Sequence, residues 1–250
     1  MGIQLHTVYI VCYFVQQRIL PKSAHIVDLG AQEFHTHIDP DAMAAIFSEF
    51  RPDLMPSRNA LEDLSGDKTP GRIYEALGFG YNCVDVFPAD RGFVCDLNFD
   101  TVPDELAGKA DLVTNFGTTE HVMNQLNCFR FIHELTRPGS VMWHIVPTSD
   151  FNTHGFFKYD PKLYWYLAKA NDYKDFWMRF CRSDSNNPVP EVMLKNGLPD
   201  QEAIDTAMDV VLRRTTDAPF QLPLDLDINT DEMQMTDDLT DRYGDEAVVA

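Results

Sequence analysis

Acidic side chains stand at the ends of several short apolar runs in the 250-residue sequence. Residues 28–30 (Asp-Leu-Gly) end the first run, Asp85 ends the second, and residues 96–98 (Asp-Leu-Asn) end the third. A carboxylate can accept paired hydrogen bonds from ribose hydroxyls, and one beside a free backbone N–H can hold an adenine edge. One such aspartate commonly caps a helix or begins a turn. Three at consecutive strand ends predict a nucleotide-type ligand site, because open parallel sheets bind ligands there.

Histidines are concentrated near the later apolar runs. Glu120 and His121 follow the fourth run, His144 lies in the fifth, and His154 comes shortly after it. His121 or His154 can serve as a general base toward a hydroxyl, an amine or an acid. His121 is equally consistent with a residue that orients its loop through a hydrogen bond, and Glu120 with one that stabilises a first helical turn. We therefore treat His121 and His154 as catalytic candidates.

The segment "HIVDLGAQEFHTH" also places His35, His37 and Asp39 close together in sequence. Side chains at i and i+2 share a face only where the backbone is extended. These residues fall where a crossover helix or an inserted loop should begin, so we interpret them as loop residues or as a lid over the substrate. We predict no metal site. A metal-dependent hydrolase or lyase that uses the histidines remains an alternative.

Short apolar, β-branched runs bounded by Gly, Pro, Asp or Asn predict buried parallel strands. They cover residues 24–30, 81–87, 92–98, 110–117 and 140–147. Apolar residues at helical spacing over 122–132 predict a helix before the fifth strand, with Thr118 or Thr119 as its N-cap. This alternation predicts an α/β, Rossmann-like fold, a doubly wound and mostly parallel sheet with helices on both faces.

The spacing of the runs also predicts the domain organisation. Fifty residues separate the first two strands, more than a crossover needs, which predicts an insertion over about 35–75. An aromatic-rich extension on the substrate side covers about 151–215 and is expected to include a helix near 200–214. Residues 1–215 would then form one domain. Residues 216–250 contain ten Asp or Glu and one Arg, which predicts an acidic, flexible tail.

Composition limits the partners. The formal net charge of −19 disfavours nucleic acid and anionic membranes, because contacts to phosphate need clustered Lys and Arg. The five scattered cysteines fit reduced thiols better than disulfides or a zinc ribbon. The run "VYIVCYFV" is too short to span a bilayer. We expect a soluble, cytoplasmic protein whose partner is a small-molecule or glycan-like acceptor, with no prediction of its oligomeric state.

Five segments carry a resemblance to a known family. They are "VDLGAQ", "CVDVF", "CDLN", "ADLVTNFGTTEHV" and "LTRPGSVMWHIVP", in this order. Their order and approximate spacing resemble the class I S-adenosylmethionine-dependent methyltransferases over about residues 20–150. The likeness is closest to bacterial methyltransferase-domain proteins in which "FGTTEHV" is followed by "NQ" and later by "HGFFxYDP". The resemblance implies S-adenosylmethionine as the cofactor and methyl transfer as the activity.

The resemblance also implies a set of cofactor-binding residues. They are Asp28, Gly30, Gln32, Asp85, Asp96, Leu97, Asn115, Gly117 and Thr118. By the resemblance, Asp28 and Gly30 form the loop under the methionine part of the cofactor. Gln32 stands where the family usually has the second glycine of a Gly-x-Gly loop. Its side chain either occupies space that the cofactor often needs or hydrogen-bonds the amino acid end of the cofactor.

The remaining positions are assigned by the same resemblance. Asp85 would bind the ribose, Asp96 and Leu97 would bracket the adenine, and residues 115–118 would line the pocket after the fourth strand. The expected function is methyl transfer to a small-molecule or glycan-like acceptor. The alternative in a different class is a non-catalytic protein that keeps the nucleotide-binding fold, for which Gln32 is the main support.

Overall fold

The computed structural model describes residues 2–149, 151–182 and 206–225. Seven strands in these ranges form one sheet in the order β3-β2-β1-β4-β5-β7-β6. They are β1 (His25–Leu29), β2 (Gly80–Asp85), β3 (Gly92–Val94), β4 (Ala110–Phe116), β5 (Thr136–Ser149), β6 (Tyr173–Arg182) and β7 (Thr206–Arg214). The first five strands pair in parallel, whereas β7 is antiparallel to both β5 and β6.

Helices cover both faces of this sheet. They are α1 (Leu5–Gln16), α2 (Pro40–Phe50), α3 (Arg58–Ser65), α4 (Gly71–Ala76), α5 (Gln125–Leu135) and α6 (Pro161–Ala170). Buried side chains of α1 to α4 pack on one face, and those of α5 and α6 pack on the other. Successive side chains of a strand point to opposite faces, so Ile26 and Val27 of β1 belong to different core clusters, and both are fully buried.

The predicted fold class is confirmed. All five predicted strands are present, and helices lie on both sides of a mostly parallel sheet. Between β1 and β2 the chain forms α2, α3 and α4, so the region read as an insertion is largely helical. The boundaries proposed for the insertion, the extension and the tail stay predictions.

Two local predictions are wrong. Residues 206–214, expected to be helical, form β7, which lies between β5 and β6 and is buried along most of its length. The helix before β5 begins later than predicted, because Asn124 is its N-cap and accepts a hydrogen bond from the Asn127 N–H at 3.2 Å. Thr119 instead begins a 3-10 turn, Thr119–His121, which separates β4 from α5.

A buried aspartate ties the antiparallel strands together. Asp209 of β7 accepts hydrogen bonds from the indole N–H groups of Trp143 at 2.7 Å and Trp177 at 3.0 Å. Its other oxygen pairs with the Arg179 guanidinium at 2.7 Å. These donors and the cation offset the cost of burying the carboxylate, which allows an acidic residue in this buried strand.

Three further predictions concern the cysteines, membrane-spanning helices and the C-terminal part of the chain. The five cysteines are all thiols. The described residues contain no helix that is both long and apolar enough to cross a membrane. Residues 183–205 of the extension, which include the start of the helix predicted near 200–214, and residues 226–250 of the acidic tail lie outside the described residues.

Asp28 makes the stability of the fold depend on pH. Burial raises its pKa from 3.8 to about 6, although hydrogen bonds from Thr114 and Tyr81 oppose the shift. Because the folded state holds this proton more tightly than the unfolded state, Asp28 lowers stability as the pH rises from about 4 to about 6. The free energy of unfolding of the wild type, relative to Asp28→Asn, should therefore fall by about 3 kcal/mol across that interval.

Urea unfolding at several pH values measures this difference. Asp104→Asn, at an exposed site, is the control and should track the wild type at every pH. A constant difference between the wild type and Asp28→Asn would show that Asp28 keeps its ordinary pKa in the folded chain.

Candidate active site

The loop after β1 makes a tight turn at Gly30. This residue has φ of +77°, and a Cβ built on it would lie 2.6 Å from Oγ1 of Thr118. The Thr118 hydroxyl donates to the Leu29 carbonyl at 2.6 Å. Both the left-handed backbone and the close approach require glycine here, so the loops after β1 and β4 touch at the carboxyl ends of their strands.

Gln32, at the departure from the usual Gly-x-Gly loop, is folded back on its own loop. Its side chain is buried, and its amide nitrogen donates to the Leu29 carbonyl at 3.1 Å. The same nitrogen lies 3.5 Å from Oγ1 of Thr118. The Gln32 side chain therefore fills space inside the loop and stiffens it, while it also forms part of the cleft wall.

Asp85 connects the loops that follow β1 and β2. One carboxylate oxygen accepts from the Ala31 N–H at 2.8 Å, and the other accepts from the Phe87 N–H at 2.9 Å. A carboxylate has about four acceptor positions, so each oxygen keeps capacity for a ligand hydroxyl. Asp85 is at once a structural clamp and an open acceptor on the cleft wall.

Asp96 organises the loop after β3 in a similar way. Its Oδ1 accepts from the backbone N–H of Asn98 at 2.8 Å and from the Asn98 side-chain amide at 3.0 Å. The Asn98 oxygen then accepts from the N–H groups of Met123 and Asn124, both at 3.1 Å. This loop is thereby fixed to the start of α5, with Leu97 buried beside it.

These loops enclose a cleft of about 580 Å³ at the carboxyl ends of the parallel strands, within the size range of small-molecule sites. Seven of the predicted cofactor residues line it, namely Gly30, Gln32, Asp85, Asp96, Leu97, Gly117 and Thr118. His121 lines it as well. A larger cavity of about 730 Å³ lies beside Phe79 and Gly139, at the opposite edge of the sheet. Ligands of such sheets bind at the carboxyl edge, so the smaller cleft is the candidate site.

Two predicted cofactor residues do not reach the cleft. Asp28 is buried behind it and accepts from the Tyr81 hydroxyl at 2.8 Å and from the Thr114 hydroxyl. Asn115 is also fully buried, and its amide nitrogen lies 3.2 Å from Nδ1 of His144. Both side chains support the cleft from below.

Asn115 begins a buried hydrogen-bonded chain that shapes the turn after β4. Its amide nitrogen donates to Oγ1 of Thr119 at 2.9 Å, and its oxygen accepts from the Thr119 N–H at 3.2 Å. The Tyr159 hydroxyl lies 2.9 Å from the same Oγ1 and 2.7 Å from Oε1 of Gln125. Gln125 in turn donates to the carbonyl of Thr119 at 2.7 Å. Four side chains thus hold the turn that carries Glu120 and His121.

The turn brings the two catalytic candidates together. The rings of His121 and His154 pack edge to face with centroids 4.9 Å apart. Oε1 of Glu120 lies 3.5 Å from Nε2 of His154 and 4.0 Å from Nε2 of His121. Glu120 is fully buried, whereas both histidines are partly exposed. Glu120 does not stabilise a first helical turn, as considered from sequence, because its carboxylate points into this cluster.

Burial changes the proton affinities in and behind the cluster. It raises the pKa of Glu120 to about 7. It lowers the pKa of His121, and the neighbouring charge of His154 lowers it further. Burial alone lowers the pKa of His144 to about 3, which keeps this ring neutral beside Asn115. The lowered pKa of His121 favours its neutral ring, which has a lone pair available.

The segment after β5 is locked onto Glu120 through its backbone. The N–H groups of Phe156 and Phe157 donate to the Glu120 carbonyl at 2.8 and 3.2 Å. A Cβ on Gly155 would lie 2.9 Å from that carbonyl oxygen, so this approach requires glycine. Sequence reasoning did not single out Gly155, and it considered Tyr159 only as one of the aromatic residues near His154. The signal that contained both was the "HGFFxYDP" segment of the resemblance.

The residues first considered as metal ligands after β1 are dispersed. Asp39 is the N-cap of α2 and accepts from the Asp41 N–H at 3.0 Å. His35 lines the cleft and accepts a hydrogen bond from the Gly2 N–H, while His37 is exposed. Within the described residues these three do not form a group spaced for a metal ion.

Two neighbouring buried tyrosines test the hydrogen-bonded chain. Tyr159→Phe leaves Oε1 of Gln125 without its donor, so we expect a loss of about 1–2 kcal/mol in the free energy of unfolding. The Tyr164 hydroxyl is buried without a hydrogen-bond partner among the described residues, so Tyr164→Phe should be neutral or stabilising. Urea unfolding of both variants gives the comparison. If the two variants have the same free energy of unfolding, the hydrogen bonds of the Tyr159 hydroxyl add no stability.

The sequence of the chain matches a known protein family. The profile of a family described as "Methyltransferase domain" matches residues 65–196, more than half of the chain. No curated protein matches the chain at a significant level. Similar solved structures include a 1,6-didemethyltoxoflavin N1-methyltransferase from Burkholderia thailandensis, with 13% identity and a TM-score of 0.44. That alignment covers 82% of this chain and 76% of that chain.

Two further structures have comparable similarity. An S-adenosylmethionine-dependent methyltransferase from Methanosarcina mazei has 8% identity and a TM-score of 0.43, with 81% of this chain and 98% of that chain covered. A 16S rRNA adenine N1-methyltransferase from Catenulisporales acidiphilia has 12% identity and a TM-score of 0.41, with 80% and 92% covered. These likenesses are too distant to identify the acceptor. On the family match, the chain belongs to the methyltransferase-domain family and is an S-adenosylmethionine-dependent methyltransferase.

Proposed function

We propose that this enzyme transfers the methyl group of S-adenosylmethionine to a hydroxyl or amine of a small-molecule or glycan-like acceptor. The observation that carries the proposal is one cleft that contains two different sets of groups. Asp85 and Asp96 lie on its wall together with His121. The carboxylates suit a nucleoside, and the histidine suits an acceptor that must lose a proton.

The cofactor half would be formed by the loops after β1, β2 and β3. Gly30 would contribute by letting the Thr118 side chain pack against its loop, which joins the loops after β1 and β4 at the cleft. Asp85 would accept from the ribose hydroxyls, and Asp96 with Leu97 would bracket the adenine. Asp28 and Asn115 would act by holding these loops in place. The cofactor supplies a methyl group on a positively charged sulfur.

The acceptor half would lie toward His121 and His154. The ring of Phe156, two residues after His154, is 68% exposed. Aromatic faces of this kind suit apolar molecules and sugar rings. The net charge of −19 and the acidic cleft wall oppose a polyanionic substrate, which favours small molecules and glycans over nucleic acid.

The protein's contribution to the reaction would be chiefly positional. Holding the acceptor atom close to the methyl group and in line with the bond that breaks removes much of the entropic barrier. The fixed turn at residues 119–121 suits this role, because buried hydrogen bonds hold it on both sides. His121 and His154 would act on the acceptor group and its proton.

Calorimetric titration with S-adenosylhomocysteine tests the cofactor half. We expect saturable binding to the wild type and at least roughly tenfold weaker binding to Asp85→Asn, because one ligand acceptor is lost. Asp104→Asn, exposed and outside the cleft, should bind like the wild type. Absence of binding to the wild type would favour the non-catalytic alternative and would remove the proposed site.

The acceptor half is tested with His121→Ala. Turnover would be followed as S-adenosylhomocysteine release with a panel of hydroxyl- and amine-bearing small molecules and saccharides. We expect a loss of about 100-fold in turnover, typical for a group that handles a proton, with the affinity for S-adenosylhomocysteine nearly unchanged. His37→Ala, an exposed histidine outside the cleft lining, is the control. Equal loss of turnover and cofactor affinity would assign His121 a structural role.

A further inference from the structure

The Glu120 carboxylate is buried, and no described residue donates a hydrogen bond to it. The side chain is fully buried, and neither carboxylate oxygen has a hydrogen-bond partner among the described residues. The other buried carboxylates differ, since Asp28 and Asp209 each accept at least two hydrogen bonds. A buried carboxylate is normally paired with a cation or bound to a metal ion, because an isolated one is costly. A positively charged partner would therefore stabilise the ionised form of Glu120.

The groups that face this carboxylate are metal ligands by type. His154 and His121 place Nε2 atoms 3.5 and 4.0 Å from Oε1 of Glu120. One ligand atom from each of the three residues lies within 4.8 Å of the others, the single such group among the described residues. Two imidazoles and one carboxylate form a set that binds divalent zinc or iron in other proteins.

The spacing is close to that of a bound ion. Zinc–ligand bonds of 2.0–2.2 Å in a tetrahedron place neighbouring ligand atoms roughly 3.4 Å apart. The distance from Glu120 to His154 already has that value, and the distance to His121 is slightly longer. The His121 side chain is 45% exposed, which leaves its ring room to turn toward the other two ligand atoms.

The backbone holds the cluster together from two distant parts of the chain. Glu120 and His121 lie in the turn after β4, and His154 lies beyond β5. Glycine at position 155 allows the second segment to reach the Glu120 carbonyl, which accepts from the Phe156 N–H at 2.8 Å. The proximity of the three ligands is therefore built into the fold rather than left to side-chain flexibility.

We propose that Glu120, His121 and His154 bind one divalent first-row transition metal ion, with Zn²⁺ as the best match to the donor set. The inference rests on the proposed function and deepens it, because His121 also lines the cleft. Three protein ligands leave an open coordination position. An acceptor oxygen that entered it would be held in the cleft, which selects hydroxyl-bearing acceptors.

The chemical consequence concerns the proton of that hydroxyl. A divalent ion lowers the pKa of a coordinated hydroxyl, so the proton passes to solvent water near neutral pH. The oxygen electron pair then forms the new bond to the methyl carbon as the carbon–sulfur bond breaks. The pair of that bond stays on sulfur, and the methyl donor leaves as the neutral thioether. The histidines would thus act on the acceptor through the ion.

Metal binding is measured directly on the full chain after treatment with EDTA. Equilibrium dialysis with Zn²⁺ gives the stoichiometry, and titration with Co²⁺ gives visible absorption bands that report the coordination geometry. We expect one ion per chain, with the band pattern of a four- or five-coordinate site. Mg²⁺ should not compete, because it prefers oxygen ligands in octahedral geometry.

Four variants locate the ion. Glu120→Gln, His121→Ala and His154→Ala each remove a ligand and should weaken Zn²⁺ binding at least roughly tenfold. Gly155→Ala keeps every ligand but separates the two segments, so it should also weaken binding. His37→Ala, an exposed histidine outside the cluster, is the matched control and should bind like the wild type. Far-UV circular dichroism establishes that each variant is folded.

The outcomes separate this inference from the proposed function. No stoichiometric binding to the wild type, or full binding to Glu120→Gln and His154→Ala, overturns the metal site. Loss of binding in His37→Ala also overturns it, because the ion would then lie elsewhere. Titration of the same metal-free protein with S-adenosylhomocysteine tests the cofactor half independently. Binding of S-adenosylhomocysteine without metal binding leaves the proposed function standing, and the reverse result leaves the metal site standing.

Discussion

The buried hydrogen-bonded chain from Asn115 to Gln125 is the constraint on which the candidate site depends. A strand that ends inside a protein must satisfy its last backbone groups, and here the Asn115 side chain caps the following turn. Thr119 continues the chain to Tyr159, which belongs to the segment after β5. One set of bonds therefore fixes both the turn with His121 and the loop that follows His154.

The members of this hydrogen-bonded chain lie in segments that carry the sequence resemblance. Residues 115–125 supply the members of the chain that belong to the turn, and Tyr159 supplies the member from the second segment. Neither Asn115 nor Thr119 reaches the cleft. A sequence motif near a site therefore contains residues that support the site structurally as well as residues that contact the ligand.

The fold was predictable from sequence where a run had one physical interpretation. Buried parallel strands flanked by turn residues, such as residues 24–30, are short and apolar throughout, and they were assigned correctly. The run at 206–214 was assigned to a helix because periodicity does not distinguish a short buried strand from a buried helix. Its place between β5 and β6 depends on pairing with distant residues, which a local pattern does not contain.

The site was predictable only as far as strand ends determine it. Asp85 ends β2, Asp96 follows β3, and both line the cleft, whereas Asp28 and Asn115 lie inside strands. Both side chains hydrogen-bond to a residue of the neighbouring strand. Asp28 lies level with Thr114 in the sheet, and Asn115 lies level with His144. Sequence position shows that a residue is near an edge, but the partner across the sheet decides where its side chain is used.

The carboxylates around the cleft differ in how far the protein satisfies them. Asp85 and Asp96 each accept at least two hydrogen bonds from the loops around the cleft, so the cofactor half is organised before any ligand arrives. Glu120 accepts none from the described residues, although it is the most deeply buried of the three. The two ends of the site therefore suit different ligands. The end with Asp85 and Asp96 suits the hydroxyl groups of a nucleoside, because its carboxylates are held in place and keep acceptor capacity, and the end with Glu120 suits the cation proposed above.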